Sequence, residues 1–361
     1  MIQTIIIYIS LIAITISFAA IARKTKRFEF VVFAISLYAI LFGMRYGVGV
    51  DYPMYLQTYI TPIENGAFHF EPGFVALIET CQFLDFHFSI FFGIVAFLQL
   101  YLIFKSIKEY PDIYPYLMTT FMVACIWLSY ANGLRQILAV CFFVLAITQI
   151  GEKRVWLHYA LLILAILMHK SAVILLLFYP LFRAKRIWFS NIKLQLLLFI
   201  SAIVISQFDV MDMLSKTIDD AATLLGYDNY LEDQYAQEME DKNINIGLGY
   251  IITAVINFII IVYSNKVKEE YKNTWMPIAY NLFFIGIILH YIFIYSLLVG
   301  RINYYFYGFD YIMGAFTLAY LAKRNKFMFA FQLGLYCLTF VAVMSRMEEN
   351  TALFRFFWDA M

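Results

Sequence analysis

The chain has 361 residues, of which 63% are apolar and only 14% are charged, and its mean hydropathy is +0.76. A soluble domain carries about 25% charged residues, and the apolar excess here runs along nearly the whole length. This excludes a soluble enzyme with a single membrane anchor. With 26 basic and 25 acidic residues the net charge is +1, so nothing indicates a nucleic acid partner.

Hydropathy predicts an all-α polytopic membrane protein with about twelve transmembrane helices. They are predicted at 4–22, 28–44, 87–104, 113–129, 134–150, 155–168, 171–182, 192–208, 247–264, 276–298, 309–322 and 327–344. No repeat or low-complexity linker interrupts them, so we treat 1–361 as a single membrane domain.

The distribution of basic residues predicts the orientation of these helices. No basic residue precedes the first apolar run, whereas four follow it within 23–29, so we expect no cleavable signal peptide and an outside N-terminus. The segments predicted to be cytoplasmic are 23–29, 105–112, 151–155, 183–193, 265–274 and 323–326. They contain 18 of the 26 basic residues, as expected when cytoplasmic loops hold the excess of Lys and Arg.

Two long loops are predicted on the outer side of the membrane. The loop 209–246 is acidic, and we expect an interfacial helix followed by a solvated segment. The loop 45–86 ends in apolar residues at helical spacing after Pro72, which predicts a short helix along the membrane surface. The four cysteines (Cys81, Cys125, Cys141 and Cys337) lie far apart in apolar segments and are interpreted as small core residues.

Polar residues cluster at five places on the predicted outer face, where burial of charge is costly enough to require a reason. The first cluster follows the second helix and contains Arg45, Asp51, Tyr52 and Tyr55 around two glycines. The glycines permit a tight backbone that would let the Arg and the Asp point into one pocket. The alternative is a snorkelling Arg at a helix end and an Asp in a turn.

The second and third clusters place a carboxylate and a guanidinium at helix starts. Glu71 precedes Pro72 and is expected to cap the surface helix, which is usually a structural role. Arg135 lies between Asn132 and Gln136 at the start of the helix 134–150. A guanidinium there suits bidentate binding of phosphate oxygens, with snorkelling again the alternative.

The fourth cluster, His169 and Lys170 with Ser171, joins two helices predicted to be only about 14 and 12 residues long. Such helices span roughly 21 and 18 Å of a hydrocarbon core near 30 Å, so their junction is expected below the membrane surface. A His in a partly dry cavity is a natural general base, although a hydrogen-bonded structural His fits the same pattern. Lys170 is an alternative phosphate ligand.

The fifth cluster, 300–307, is predicted as part of a connection between two helices and contains Arg301 and Tyr304. Aromatic rings interleaved with Arg and Asn suit sugar rings, although Tyr is also a standard residue of the membrane interface. Taken together, the clusters place several cations and a base on one membrane face. This combination fits chemistry on an anionic lipid-linked substrate with a pyrophosphate leaving group.

These motifs resemble the EpsG family of bacterial membrane proteins, which is grouped with the Wzy-type polymerases of O-antigen and capsule. The resemblance is carried by Arg45-Tyr46-Gly47-Val48-Gly49-Val50-Asp51-Tyr52, Glu71-Pro72-Gly73-Phe74, Gly133-Leu134-Arg135-Gln136 and His169-Lys170-Ser171-Ala172. It covers about residues 40–185 and extends to the second half in hydropathy and in Arg301.

The resemblance implies a GT-C-like polysaccharide polymerase of the bacterial inner membrane. Such an enzyme transfers a growing glycan from undecaprenyl pyrophosphate to a sugar hydroxyl of a lipid-linked repeat unit on the periplasmic face. It implies neither metal nor nucleotide sugar as a cofactor, and a flippase and a chain-length regulator as partners. Membrane lipids surround the protein.

By position, Arg45, Arg135 and Arg301 would bind the pyrophosphate, and His169 or a carboxylate would deprotonate the acceptor. Asp51 and Glu71 would orient or activate it. The further substrate-binding candidates are Tyr52, Tyr55, Asn132, Gln136, Lys170 and Tyr304. The alternatives are another periplasmic glycosyltransferase or acyltransferase with a lipid donor, and a lipid-linked oligosaccharide flippase, which would need charges through the midplane.

Overall fold

The computed structural model describes residues 2–61, 70–184, 187–208, 214, 217–218, 247–294, 296–347 and 352–359. These residues are almost entirely helical, which confirms the predicted all-α class. The chain divides into two compact units. The first comprises Met1–Ala184 and Leu318–Met361, and the second comprises Lys185–Thr317.

The first unit is a helical bundle with one short strand pair. Its helices are α1 (Ile2–Thr25), α2 (Glu29–Gly43), α3 (Tyr52–Ile60), α4 (Pro72–Phe83), α5 (Phe88–Ser106), α6 (Tyr114–Val123), α7 (Ile126–Asn132), α8 (Leu134–Gly151), α9 (Val155–Met168), α10 (Phe178–Ala184) and α16 (Lys326–Met344). The strands β1 (Arg45–Tyr46) and β2 (Arg355–Phe356) pair antiparallel. Short 3-10 helices cover Pro111–Ile113, Lys170–Leu177 and Phe357–Asp359.

The outer helices of this unit are apolar on the side that faces away from the protein. In α1 the buried side chains recur every three or four residues, while Ile6, Ile9 and Ile14 are about half exposed. A helix that is apolar all round and only partly covered by protein is suited to lipid. By contrast, 78% of the apolar stretch of α8 is buried, against 28% for α1. The helix that carries Arg135 is therefore enclosed by protein.

The number of membrane crossings stays a prediction. Among the described residues, five helices are long and apolar enough to cross a membrane, namely α1, α5, α8, Leu248–Glu270 and α16, and a bent pair formed by Pro111–Val123 and Ile126–Asn132 makes a possible sixth. Four further apolar helices have only 14 to 17 residues, fewer than the roughly 20 that a perpendicular span needs.

Two helices predicted as continuous are broken in the structure. The predicted helix 113–129 bends by 69° between Val123 and Ile126, where Cys125 has a φ of 58°. The Trp127 indole N–H donates to the Met122 carbonyl over 3.0 Å and so satisfies a group that the break releases. The predicted helix 171–182 begins instead as the 3-10 helix Lys170–Leu177 before α10. Hydropathy does not detect either break, because the residues before and after each break are equally apolar.

The loop 45–86 contains the predicted helix from Pro72 to Phe83 and a second helix, α3, that was not predicted. Pro53 in the first turn of α3 and the spacing of Tyr52, Tyr55 and Tyr59 are the signals that could have revealed it. These three tyrosines are buried on a core that includes Phe74, Phe91 and Phe92. That this loop lies along the membrane surface stays a prediction.

At one end of the first unit, an acidic side chain joins three chain segments. Asp112 accepts a hydrogen bond from Lys323 Nζ over 3.0 Å and lies 3.6 Å from Arg23 Nε. The segments 23–29, 105–112 and 323–326, all predicted to be cytoplasmic, therefore meet at the same end of the bundle.

The second unit contains α11 (Ile192–Ile205), α12 (Leu248–Glu270), α13 (Met276–Ile292), α14 (Leu297–Tyr307) and most of α15 (Asp310–Arg324). The prediction that 300–307 form part of a connection between helices is wrong, since these residues belong to α14. Gly286 in α13 permits this packing, because a Cβ there would lie 2.6 Å from the backbone of Phe306 and Tyr307. Apart from Leu214, Thr217 and Ile218, the predicted acidic loop 209–246 lies outside the described residues.

The cysteine interpretation is confirmed for three positions and wrong for one. Cys81, Cys125 and Cys141 are buried, whereas Cys337 is exposed. Cys337 lies on the apolar outer face of α16, where a small hydrophobic side chain suits lipid as well as protein.

We predict that Gly43→Ala destabilises the bundle, because α2 and α5 touch at this glycine. An added Cβ would collide with the Ser89 carbonyl oxygen and lie 3.1 Å from the Gly93 Cα. Overpacking of this kind typically costs about 1–3 kcal/mol, which thermal unfolding of the detergent-solubilised protein will report as a lower midpoint. Gly334→Ala is the control, since a Cβ there would meet no other part of the described chain within 4 Å beyond its own helix. Equal midpoints for the two variants would contradict this packing.

Candidate active site

A buried ion pair between Glu71 and Arg135 joins two of the sequence motifs in the first unit. Glu71 Oε2 lies 2.5 Å from Arg135 Nη1, and the two side chains are only 9% and 13% exposed. Glu71 Oε1 accepts a hydrogen bond from the Lys170 backbone N–H over 3.0 Å. One carboxylate thus binds the start of α8 and the end of α9 together.

The Glu71 side chain does not cap its helix, contrary to the sequence interpretation. Glu71 is the N-cap residue of α4 with an extended backbone, but its carboxylate makes no capping hydrogen bond. Instead, its carbonyl accepts from the N–H groups of Phe74 and Val75 over 3.0 Å. The carboxylate is therefore available to Arg135 and Lys170.

The environment of Glu71 keeps its carboxylate ionised. Burial by itself favours the neutral acid, but the Arg135 charge, the Lys170 N–H and the nearby His169 outweigh burial and hold the pKa of Glu71 below its usual value. A carboxylate of this kind is a strong electrostatic partner for Arg135 and a weak proton acceptor.

Gly73 allows α4 to approach α9 closely enough for this arrangement. A Cβ on Gly73 would lie 2.8 Å from Leu167 Cβ and from Met168 Cε. Because Met168 ends α9 and His169 follows it, this contact sets Glu71 beside the His169-Lys170-Ser171 segment. Pro72 is the first residue of the helix. Proline has no backbone N–H, but no helical hydrogen bond is lost there, because an N–H at this position would have no partner within the helix.

The Arg135 guanidinium lies against aromatic rings. Its Cζ is 4.1 Å from the centre of the Phe70 ring, and the Tyr55 side chain lies within hydrogen-bonding range. Arg135 Nε is buried and has no hydrogen-bond partner in the described part of the chain. The guanidinium therefore keeps hydrogen-bonding capacity beyond its ion pair with Glu71. Gln136, partly exposed, follows it in the first turn of α8.

His169 and Lys170 differ in exposure. His169 is only 6% exposed, and its Nδ1 lies 2.7 Å from Ser171 Oγ. The extended backbone of His169 ends α9 and turns the chain into the 3-10 helix. The Lys170 side chain is exposed. An oriented imidazole thus lies beside an accessible ammonium and the Glu71 carboxylate.

Arg45 is used to hold backbone segments together. Its Nη1, Nη2 and Nε donate to the carbonyls of Phe42 (2.6 Å), Ala131 (3.0 Å) and Val48 (3.3 Å). The side chain is 1% exposed, and its Cζ lies 4.9 Å from the centre of the Phe92 ring. Arg45 thereby connects the end of α2, the loop after it and the end of α7.

Asp51 and Asn132 meet in the same region. Asn132 Oδ1 accepts a hydrogen bond from the Asp51 backbone N–H over 2.8 Å. Gly49 has a φ of +102° and a Cβ on it would lie 3.2 Å from the Ala131 carbonyl oxygen, so glycine is required there. Tyr52 stacks on Phe92 at 4.9 Å. The first and third motifs are therefore packed against each other.

The C-terminal segment also contributes to this region. This contribution was not predicted from the sequence. Phe356 pairs with Arg45 and Arg355 pairs with Tyr46, while the Tyr8 hydroxyl donates to the Ala352 carbonyl over 2.8 Å. A two-residue strand has too few residues for a periodicity signal, and its partner lies about 300 residues away in sequence.

Arg301 and Tyr304 lie in the second unit, in helix α14. Tyr304 is 42% exposed, and the neighbouring Asn303 Nδ2 donates to the Gly286 carbonyl over 2.9 Å. The participation of Arg301 and Tyr304 in a substrate site stays a prediction.

The model of the EpsG family matches residues 29–357. The chain belongs to this family. The match extends well beyond 40–185 and includes Arg301 as well as the strand Arg355–Phe356. No curated protein and no solved structure matches the chain.

In this EpsG family member, four sequence motifs spread over residues 45–172 therefore come together in one unit. They supply an ion pair, an exposed ammonium, an oriented imidazole and a loop that carries Asp51. Such a set can bind an anionic group and accept a proton from a nearby hydroxyl.

We predict that Arg45→Lys lowers stability and not only activity. A lysine ammonium cannot reach three carbonyls spread over Phe42, Val48 and Ala131, and each buried carbonyl left without a partner costs about 1–3 kcal/mol. Thermal unfolding in detergent should show a clearly lower midpoint for this variant than for Arg346→Lys, an exposed control. An unchanged midpoint together with lost activity would instead assign Arg45 to substrate binding.

Proposed function

We propose that this protein is a polysaccharide polymerase with a GT-C-like architecture in the bacterial inner membrane. It would transfer a growing glycan from undecaprenyl pyrophosphate to a sugar hydroxyl of a lipid-linked repeat unit. Membership of the EpsG family supports a polymerase of this class. The observation that carries the proposal is the Glu71–Arg135 pair with His169 and Lys170 beside it.

Arg135 and Lys170 are the proposed ligands of the donor pyrophosphate in the first unit. The Arg135 side chain is 13% exposed, and the exposed Lys170 side chain belongs to the residue whose backbone N–H donates to Glu71. A planar guanidinium group can donate two parallel hydrogen bonds to two phosphate oxygens, and a nearby ammonium adds positive charge. Arg301, which lies in the second unit, stays a predicted ligand of pyrophosphate.

In the proposed reaction, the acceptor hydroxyl oxygen forms a bond to the anomeric carbon of the donor sugar. The bond from this carbon to the pyrophosphate oxygen breaks, and the electron pair leaves with undecaprenyl pyrophosphate. His169 accepts the hydroxyl proton. We assign this step to His169 because the lowered pKa of Glu71 makes that carboxylate a weak base. Asp51, held by Asn132 through its backbone, would orient the acceptor.

The remaining candidates have supporting roles in this proposal. Glu71 positions Arg135 and the His169 segment, and Arg45 positions the loop that carries Asp51, because its nitrogen atoms donate to backbone carbonyls. Tyr52 packs beneath this loop on Phe92. Tyr55 lies next to Arg135.

The proposed active face is periplasmic, with the loops 45–86 and 209–246 on that side. Such a polymerase would depend on a flippase to supply repeat units and on a regulator of chain length. It would require neither a metal nor a nucleotide sugar. The distribution of basic residues in the sequence supports this orientation.

The proposal is tested with purified protein in vesicles that contain lipid-linked repeat units, with polymer length and initial rate as readouts. Arg135→Ala should lower the rate by at least about 100-fold, because loss of one donor to a developing charge typically costs about 3–4 kcal/mol. Arg135→Lys should restore little of it, since a point charge lacks the planar fork. His169→Gln should lower the rate by about 100- to 10,000-fold.

Arg346→Ala, which changes an exposed side chain, is the control and should retain full activity. Polymer of full length from Arg135→Ala at normal protein levels would contradict the donor assignment. Movement of repeat units across the membrane without glycosidic bond formation would favour a flippase, and transfer to a different acceptor would favour another lipid-donor transferase.

A further inference from the structure

A cationic cavity lies at the other end of the first unit from the candidate site. It has a volume of about 430 Å³ and is lined by Lys26, Arg27, Phe28, Glu29, Val32 and Lys108. Helix α2 begins at this cavity with Glu29 and ends at Gly43, next to the Arg45 loop. At 1.5 Å per residue, its 15 residues separate the cavity from that loop by about 22 Å.

The cavity carries more positive charge than its one carboxylate balances. Glu29 Oε2 lies 3.5 Å from Arg27 Nε, and the Lys108 charge also acts electrostatically on the Glu29 carboxylate. The Lys108 ammonium is held 5.7 Å from the centre of the Phe28 ring. The lining thus has three cations against one carboxylate, an excess of positive charge that suits an anionic group.

The cavity lies at the level where apolar helices end. The spans Ile2–Thr25 and Phe88–Ser106 both finish just before it, and the apolar helix Glu29–Gly43 begins there. The ends of membrane spans coincide with the lipid headgroups. A ligand in this cavity would therefore meet the membrane at headgroup depth.

An aromatic surface continues from the cavity along α1 and α2. The Arg27 guanidinium lies 5.6 Å from the centre of the Phe30 ring. The Phe18 ring lies 6.5 Å from Phe30 and 4.6 Å from Phe33, and Phe33 is 48% exposed. The cations at headgroup depth thus lie next to aromatic rings that can contact the acyl chains of a lipid.

We propose that this cavity binds an anionic glycerophospholipid. The phosphate would lie between Lys26 and Lys108, with Arg27 at its edge, and the acyl chains would follow Phe30, Phe18 and Phe33. Basic pockets between membrane helices are suited to anionic headgroups, and the aromatic surface gives a lipid contacts that a free phosphate lacks. The proposal does not depend on the polymerase function.

The test is native mass spectrometry of the full-length protein in detergent, titrated with phosphatidylglycerol, phosphatidylcholine, undecaprenyl phosphate or inorganic phosphate. The variant Lys26→Gln/Lys108→Gln removes two of the three cations in the lining. Lys24→Gln/Lys326→Gln is the matched control, because it removes the same charge from exposed lysines outside the cavity. Lys26→Arg/Lys108→Arg retains the charge.

We expect phosphatidylglycerol to bind the wild-type protein, the control and the Arg variant at least tenfold more tightly than phosphatidylcholine. The Gln variant should lose at least tenfold in affinity for phosphatidylglycerol at an unchanged unfolding midpoint. Equal loss in the control, or equal binding of both lipids by the wild-type protein, would overturn the proposal. Displacement of phosphatidylglycerol by inorganic phosphate, or by undecaprenyl phosphate at lower concentration, would overturn it in favour of that ligand.

Discussion

The arrangement of the candidate site depends on one buried ion pair. Glu71 and Arg135 come from different helices, and removal of either partner would leave a charge in a largely apolar bundle, which typically costs about 3–5 kcal/mol. Because Glu71 also accepts from the Lys170 N–H, the pair fixes the His169 segment as well. The same residues that make the site chemically useful therefore also hold three parts of the unit together.

A second set of contacts holds the other half of the site. Arg45 donates to backbone carbonyls, and β2 adds a strand from the far end of the chain. Arg45 and Arg135 thus illustrate two uses of arginine in a membrane protein. Arg45 directs its donors to backbone carbonyls. Arg135 is paired with a carboxylate and keeps a buried donor without a partner among the described residues.

The sequence predicts the all-α class, the family and the motifs that meet in the first unit, because hydropathy and short polar clusters are local signals. It does not predict the break at Cys125 or the helix over 300–307, since apolar and aromatic residues suit either conformation there. The pairing of Arg45 with Phe356 leaves no signal in the local sequence, because the two residues lie far apart along the chain. The roles of Glu71 and Arg45 also required the structure, because a helix cap, a snorkelling side chain and an ion pair share the same sequence pattern.

The direct interaction of Glu71 with Arg135 is tested by a double-mutant cycle on the free energy of unfolding. Glu71→Gln, Arg135→Gln and the double variant should reveal a coupling of about 1.5–3 kcal/mol at pH 7. Because the folded-state pKa of Glu71 is lowered, this coupling should be fully present above the ordinary carboxyl pKa of 4.5 and disappear as pH falls through the lowered value. Additive effects at pH 7, or a coupling that persists unchanged at low pH, would contradict the account.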